Sequence, residues 1–490
     1  MTQPVADTRL HPLTLITRTL RALPQAAGGV AAYAVAARDM GRVLLLVPIA
    51  FAVAGVIAFL VWSRFRYGIG EREIVIEQGV LSRQRRVIPF ERVQDIAIER
   101  KLLARLLGLA LVKIETGSSG ADEGQLDSVA VDDAHRIRDL VRGAKAGLAA
   151  EEKPVEVAAE PVLFEMSIGR VLLSGMFQFS LVFIAAIAAV IQNLDEWGFS
   201  APPELRSTIE STTARGWLLF SLALGGAIVL AGFLAGILRT LARDFGFRLT
   251  RAASGLRRRR GLFTFSETVI PVRRMQVARI ESGLVARALG WHGLAFQTLG
   301  ADRKERGAQT AAPFARIEEV EPILAETGFP APATIEQWHR SPRRSILRRG
   351  IGPGLLAFAV FGVAWAWEPR AAILGAAAAL AAALFAARWT RHYHAEGETA
   401  LFVTDGLLKR RMKVMPWGRV QAVAVVAGPV QRRMHLATVA VDTAGAPSGR
   451  SLAIVDLERA DAEALAERLI ARFTAARRAE RLAGTVRPAG

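Results

Sequence analysis

The chain has 490 residues, no cysteine, a formal net charge of +18 and 52% hydrophobic residues, with a mean hydropathy of +0.28. The missing cysteine excludes disulfides, zinc–thiolate centres and thiol nucleophiles together, and the length corresponds to about three domains of ~150 residues. Apolar residues are clumped rather than spread, so the basic excess reads as Arg-rich segments kept beside anionic lipid; nucleic acid is not an expected partner, because no aromatic interleaving or nucleic-acid module accompanies the charge.

No cleavable signal peptide is read at the N-terminus, where Asp7 and Arg9 precede any apolar core. Residues 10–23 place Leu and Ile at helical spacing with Arg18 and Arg21 opposite, as an interfacial helix does. Residues 24–37 are small and apolar but short for a crossing, whereas Val43–Trp62 supplies an uncharged run long enough for a hydrocarbon layer of ~30 Å. Alternation then predicts strands over 72–79, 85–90, 95–99, 110–117 and 128–133, with a short helical crossover or tight apolar turn at 101–108. A helix is expected over 134–148, with Ile137, Leu140 and Val141 inward. A charged linker, 151–160, carries Pro154 and marks a boundary.

The plan repeats. Residues 171–191 and 216–238 are apolar spans around an acidic loop, followed by strands over 245–300 and a helical tail at 315–326. Residues 350–367 and 371–387 form a third hairpin of spans, followed by strands over 400–454 and an amphipathic helix at 460–476. The expected domains are 1–150, 151–330 and 331–490, with strand-rich modules at about 64–148, 243–328 and 391–478. Six spans in pairs put all three modules on one face. The Arg-rich flanks on that side, against the acidic loop 192–215, make that face cytoplasmic.

A short phrase marks each module. Pro, two variable residues, Arg, Val or Met, and Gln occur at Pro89, Arg92 and Gln94, at Pro271, Arg274 and Gln276, and at Pro416, Arg419 and Gln421. A Gly stands ten residues before each Pro (Gly79, Gly261, Gly406), an Arg eleven after each Gln (Arg105, Arg287, Arg432), and a Thr twenty-two after it (Thr116, Thr298, Thr443). Such agreement over some forty residues without a gap defines three copies of one module.

Paired spans feeding a strand-rich module with this phrase and a C-terminal helix resemble the bacterial pleckstrin-homology-like membrane proteins, in a three-module form. The resemblance implies an α+β membrane protein with six transmembrane helices in three hairpins. Each hairpin would be followed by an antiparallel barrel or sandwich of about seven strands capped by a helix. It implies no catalytic residue, and none is expected here. Departures occur in the later copies: the strand before the second phrase is the arginine-rich stretch 253–261, and His435 stands where the first two modules have Gly108 and Gly290.

Within each phrase the Arg and Gln lie two apart at a strand entry and share a face. They suit either an anion or partner contact, or a pairing with backbone that fixes the barrel corner; recurrence in three otherwise diverged modules favours the corner. Three basic clusters accompany the phrases: Arg83, Arg85 and Arg86; Arg257, Arg258, Arg259 and Arg260; Lys409, Arg410, Arg411 and Lys413. They suit anionic headgroups, at about 1 kcal/mol per basic residue near the surface, and equally suit solvated hairpins. His392, Tyr393 and His394 beside Glu396 and Glu398 lack a further ligand set, so no metal and no cofactor are expected. The expected function is a non-enzymatic inner-membrane protein whose modules bind anionic lipid or a protein partner, as a scaffold or an envelope-stress and resistance factor. A component of a transport or export system is the alternative. GxxxG spacing at Gly232/Gly236 and Gly350/Gly354 suits close helix packing.

Overall fold

The computed structural model describes residues 7–17, 19, 40–116, 124–148, 160–178, 214–299, 308–332, 335, 337–367, 372–443 and 452–485, except 71, 81 and 254. They fall into two compact units: Met1–Val162 with Gly246–Ala253 and Arg257–Val269, and Leu163–Phe245 with Ser254–Leu256 and Ile270–Gly490. The division passes through the second repeat.

The first repeat contributes helix α1 (Met40–Arg64) and strands β1 (Arg66–Ile69), β2 (Glu73–Gln78), β3 (Gln84–Pro89), β4 (Val93–Lys101), β5 (Leu109–Thr116) and β6 (Gly124–Ala130), closed by helix α2 (Val131–Leu148). One sheet runs Thr8–Arg9, β1, β2, β3. Alternating apolar residues put Ile74, Ile76, Ile88, Ile98, Val112, Ile114 and Leu126 into a common core with Ile137 of α2, each contributing about 2 kcal/mol relative to exposure. The second repeat supplies β7 (Arg248–Ala252), β8 (Gly255–Arg260) and β9 (Thr264–Pro271). These continue the other sheet of the first repeat in the order β6-β5-β4-β9-β8-β7, because β9 pairs antiparallel with β4, Thr264 opposite Lys101 and Glu267 opposite Ile98.

The second unit holds helices α3 (Ile168–Met176) and α4 (Ala214–Asp244), strands β10 (Met275–Gly283), β11 (His292–Thr298) and β12 (Ala308–Ala315), and helix α5 (Ile317–Glu326). The third repeat adds helices α6 (Arg344–Trp367) and α7 (Ala372–Ala387), strands β13 (Tyr393–Glu396), β14 (Ala400–Asp405), β15 (Lys409–Pro416), β16 (Val420–Val426), β17 (Leu436–Thr443) and β18 (Leu452–Glu458), and helix α8 (Arg459–Thr485). Here one sheet runs β12-β11-β10-β15-β14-β13 with His339–Arg340 at its edge, and the other runs β16-β17-β18. Again β10 pairs with β15, Gly283 opposite Lys409. Gly283 holds the repeat position of Lys101, and Lys409 that of Thr264. Both seams between consecutive repeats therefore use one register.

The repeated Gly is a backbone requirement. Gly79, Gly261 and Gly406 have φ of 115°, 113° and 100°, and a Cβ on each would stand 1.8, 1.9 and 2.0 Å from the carbonyl oxygens of Ser82, Thr264 and Lys409. Only glycine fits that turn. His435 keeps the left-handed geometry of Gly108 and Gly290, with φ of 56° against 67° and 75°, at a cost of roughly 1–2 kcal/mol for a side chain.

Some expectations change. Val131, Asp132 and Asp133 begin α2 rather than ending a strand; Ser128, at φ 65°, bends the strand, and the two carboxylates sit favourably in the first helical turn. The inward face of α2 is Ala134, Ile137 and Val141, whereas Leu140 is 50% exposed. Among the described residues, two helices are long and apolar enough to cross a membrane, over Gly225–Asp244 and Arg344–Val363. Ala52–Arg64 and Gly375–Ala387 are shorter apolar helices. The expected span at 24–37 and most of 171–191 lie outside the described residues. Leu355, Leu356, Phe358 and Val363 of α6 are each 66–76% exposed, an apolar surface suited to lipid.

Small residues set the helix contacts. A Cβ on Gly236 of α4 would meet the carbonyl oxygen of Gln178 at 2.7 Å and that of Gly175 at 2.8 Å, whereas one on Gly354 of α6 meets nothing within 4 Å. Gly236→Ala is expected to destabilise by about 1–3 kcal/mol through overpacking, while Gly354→Ala is neutral or gains up to about 1 kcal/mol of helix propensity. Thermal unfolding of the purified protein in detergent checks both; equal midpoints for the two variants would refute the contact.

Candidate functional site

The phrase residues occupy three different environments. Each Pro ends a strand (β3, β9 or β15) and the following turn leads into β4, β10 or β16. Arg92 is exposed, and the Gln94 side chain lies outside what the structure describes. Arg274 is 7% and Gln276 4% exposed, with Gln276 Nε2 near the Arg274 carbonyl at 3.5 Å. Arg419 Nη1 donates to the Arg273 carbonyl at 3.1 Å, and Gln421 is exposed. The three arginines do not share one pocket geometry.

The basic clusters also diverge, for electrostatic reasons the local sequence hides. Arg257 and Arg259 of β8 converge on Glu267 of β9 at 3.6 and 3.2 Å, Arg257 also reaches Glu160 at 2.9 Å, and Arg138 of α2 meets Glu267 at 2.8 Å. Burial pushes the Glu267 carboxyl up, but Arg138, Arg259 and Arg257 together hold it below the usual value. Arg258 is buried. In the third cluster, Lys409 and Arg411 of β15 meet Glu281 of β10 at 2.5 and 3.6 Å. Arg410 donates to Thr404 Oγ1 at 3.2 Å, and burial lowers the Lys413 ammonium, as does the neighbouring Arg279. Arg257, Arg259, Lys409 and Arg411 thus serve ion pairs at the seams.

Two members of the first cluster face a cleft, and Arg86 is half-buried outside its lining. Arg83 and Arg85 join Arg64, at the end of α1, and Arg66 around a cavity of about 610 Å³, with Asp7 and Glu77 on its wall. Arg85 lies 3.6 Å from Glu77, both nearly half exposed, an ion pair too solvated to contribute more than about 1 kcal/mol. Four guanidiniums against two carboxylates leave the cleft positive. Planar, bidentate guanidinium groups match phosphate oxygens. The cleft lies at the end of the apolar helix α1, where headgroups would be met.

A second constellation ties the third module to its hairpin. The buried Asp456 carboxylate, at a φ of 59°, accepts from Arg348 Nη2 at 2.6 Å, Arg349 Nε at 3.1 Å and Gln431 Nε2 at 2.5 Å. Arg348 and Arg349 begin α6. In the first module Ser128 holds the corresponding bend and its hydroxyl meets that of Thr17 at 3.1 Å. Alongside Asp456, His392 Nε2 accepts from the Val455 amide at 3.1 Å, and His394 lies against His339 with ring centroids 5.4 Å apart. Both buried histidines therefore hold places in the packing of the sheet. Among the described residues no group of three or more His, Asp or Glu is arranged to hold a metal.

Small antiparallel sheets with a closing helix in each repeat, beside long apolar helices, define a membrane protein built on pleckstrin-homology-like modules. The chain belongs to the bacterial PH domain family, whose model matches residues 20–145, 204–327 and 351–473. It is similar to the UPF0699 transmembrane protein YdbT of Bacillus subtilis (strain 168), at 26% identity over 335 residues, covering 64% of this chain. The match spans 65% of that relative, less than two-thirds of its length. No solved structure is a significant match. The protein is accordingly membrane-associated and carries three bacterial PH domains.

Burial pushes His392 down to about 4 and His394 down to about 3. Both rings stay neutral in the folded protein, while the unfolded chain takes up protons near pH 6.5. Stability present above pH 6.5 is therefore lost as the pH falls toward 4. At about 1.4 kcal/mol per pKa unit, His392 alone accounts for roughly 3 kcal/mol. Denaturant midpoints measured from pH 7 to 4 should fall, and His392→Asn, whose amide oxygen can still accept from Val455, should flatten the slope; an unchanged slope excludes His392 as the source.

Proposed function

We propose that the chain is a non-enzymatic, multi-pass inner-membrane protein whose modules lie on the cytoplasmic side and engage anionic phospholipid headgroups, acting as a membrane scaffold in envelope stress or resistance. The observation that carries this reading is the positive cleft of Arg64, Arg66, Arg83 and Arg85 at the end of α1. Its position gives phosphate a charged seat where an apolar helix meets the module. Six spans in three hairpins account for the repeated apolar pairs of the sequence, and the Arg-rich flanks of those pairs support the cytoplasmic orientation. The similarity to a transmembrane protein of Bacillus subtilis adds support for the membrane setting.

At about 1 kcal/mol for each basic residue near an anionic surface, Arg83→Gln with Arg85→Gln should weaken retention of phosphatidylglycerol by roughly 30-fold. Native mass spectrometry of the detergent-purified protein titrated with phosphatidylglycerol or phosphatidylcholine measures this. Equal retention of the two lipids, or no change in the double variant, sinks the headgroup reading. For topology, a reporter after Gly490 is expected in the cytoplasm and one within 192–215 on the opposite side. Cytoplasmic signals from both would contradict the paired spans.

A further inference from the structure

The two seams are formed by one rule. The strand that opens the second sheet of a repeat (β4, β10) receives the last hairpin strand of the next repeat (β9, β15) in the same register. Among the described residues, the rule leaves two strands without such a neighbour: β3, at the edge of the first sheet, and β16, at the edge of the last. These two edges correspond in repeat position to the two sides of the internal seams.

Their exposure follows from that vacancy. Every residue from Met275 to Ala278 of β10 is buried, whereas Gln421, Ala422, Ala424 and Val425 of β16 are exposed. On the other side, Val87 of β3 is 44% exposed, whereas Val414, its counterpart in β15, is fully buried. An uncharged edge strand of seven residues, VQAVAVV, presents main-chain donors and acceptors that favour strand addition. The basic residues of β3 are no obstacle, since β15 is as basic and lies inside a sheet. A further contact is prepared as well: Arg105 donates to the Leu262 carbonyl across the first seam at 3.3 Å. Arg432, at the matching repeat position, is exposed, and Val80 occupies the repeat position of Leu262.

We propose that the protein assembles with a second copy of itself head to tail, β16 of one copy adding to β3 of the next in the seam register. That register sets Val423 opposite Val87, as Ala278 stands opposite Val414 in the second internal seam, and it sets Val426 opposite Gln84. A contact between two different patches is heterologous and generates a ring or an open row in the plane of the membrane. This inference stands apart from headgroup binding, because main-chain pairing and not the arginine cleft carries it.

The chain has no native cysteine, so single substitutions report the contact directly. Val87→Cys in copies with one tag and Val423→Cys in copies with another, co-expressed and oxidised in membranes, should give a disulfide-linked species carrying both tags. Val87→Cys with Ala424→Cys, whose side chain alternates to the opposite sheet face, should give at least tenfold less. No mixed-tag product, or equal yield from the two pairs, overturns the proposal. So does a chain bearing both Val87→Cys and Val423→Cys that closes only on itself, or capture of a different protein in place of the second copy. Independently of any variant, light scattering of the solubilised wild type should give a multiple of 52.9 kDa; a homogeneous monomer at all concentrations is the contrary result.

Discussion

The structure depends on how sheet edges are satisfied. A strand at an edge carries unpaired amide and carbonyl groups, and a small module has little apolar surface with which to offset them. In this protein successive repeats answer each other: β4 takes β9, and β10 takes β15. The ion pairs follow that arrangement. Glu267 collects Arg138 from the first repeat with Arg257 and Arg259 from the second, and Glu281 collects Lys409 and Arg411 from the third. Removing either carboxylate would leave several guanidinium or ammonium groups facing one another in a partly dehydrated seam.

Asp456 performs a different task, because two of its three partners come from the helix that precedes the module. One carboxylate fixes the start of α6 and the turn holding Gln431. The left-handed conformation at Asp456 aims that carboxylate inward, and the same bend at Ser128 serves the first module with a weaker, neutral contact to Thr17. A bend in the last strand thus links membrane-side chain to module in both copies, by charge in one and by hydroxyls in the other.

Much of each module was legible in the sequence, because burial of one sheet face writes period-two alternation, and because the Gly of each phrase answers a turn no side chain fits. The strands over 72–79, 85–90 and 110–117 are present as β2, β3 and β5. The seams left no such trace. Main-chain pairing is indifferent to side-chain type, and the carboxylates that neutralise the arginines of β8 lie on another strand, as Glu267 does, or in the linker, as Glu160 does. The arginines of 257–260 therefore read as an exposed patch although Arg257 and Arg258 are largely enclosed. The two-residue strands Thr8–Arg9 and His339–Arg340 are too short for any periodicity. Helical spacing alone places Leu140 inward, but the buried face of α2 is centred on Ala134, Ile137 and Val141.

The seam geometry also imposes an order on synthesis. Lys101 waits for Thr264, 163 residues further along the chain, and at about 5–20 residues per second the ribosome takes roughly 10–30 s to deliver it. During that interval the nascent first module holds β4 open, long after its own core residues have been made. The charged and partly exposed Glu99 and Arg100 on that strand are suited to keeping the unfinished edge from premature pairing until β9 emerges.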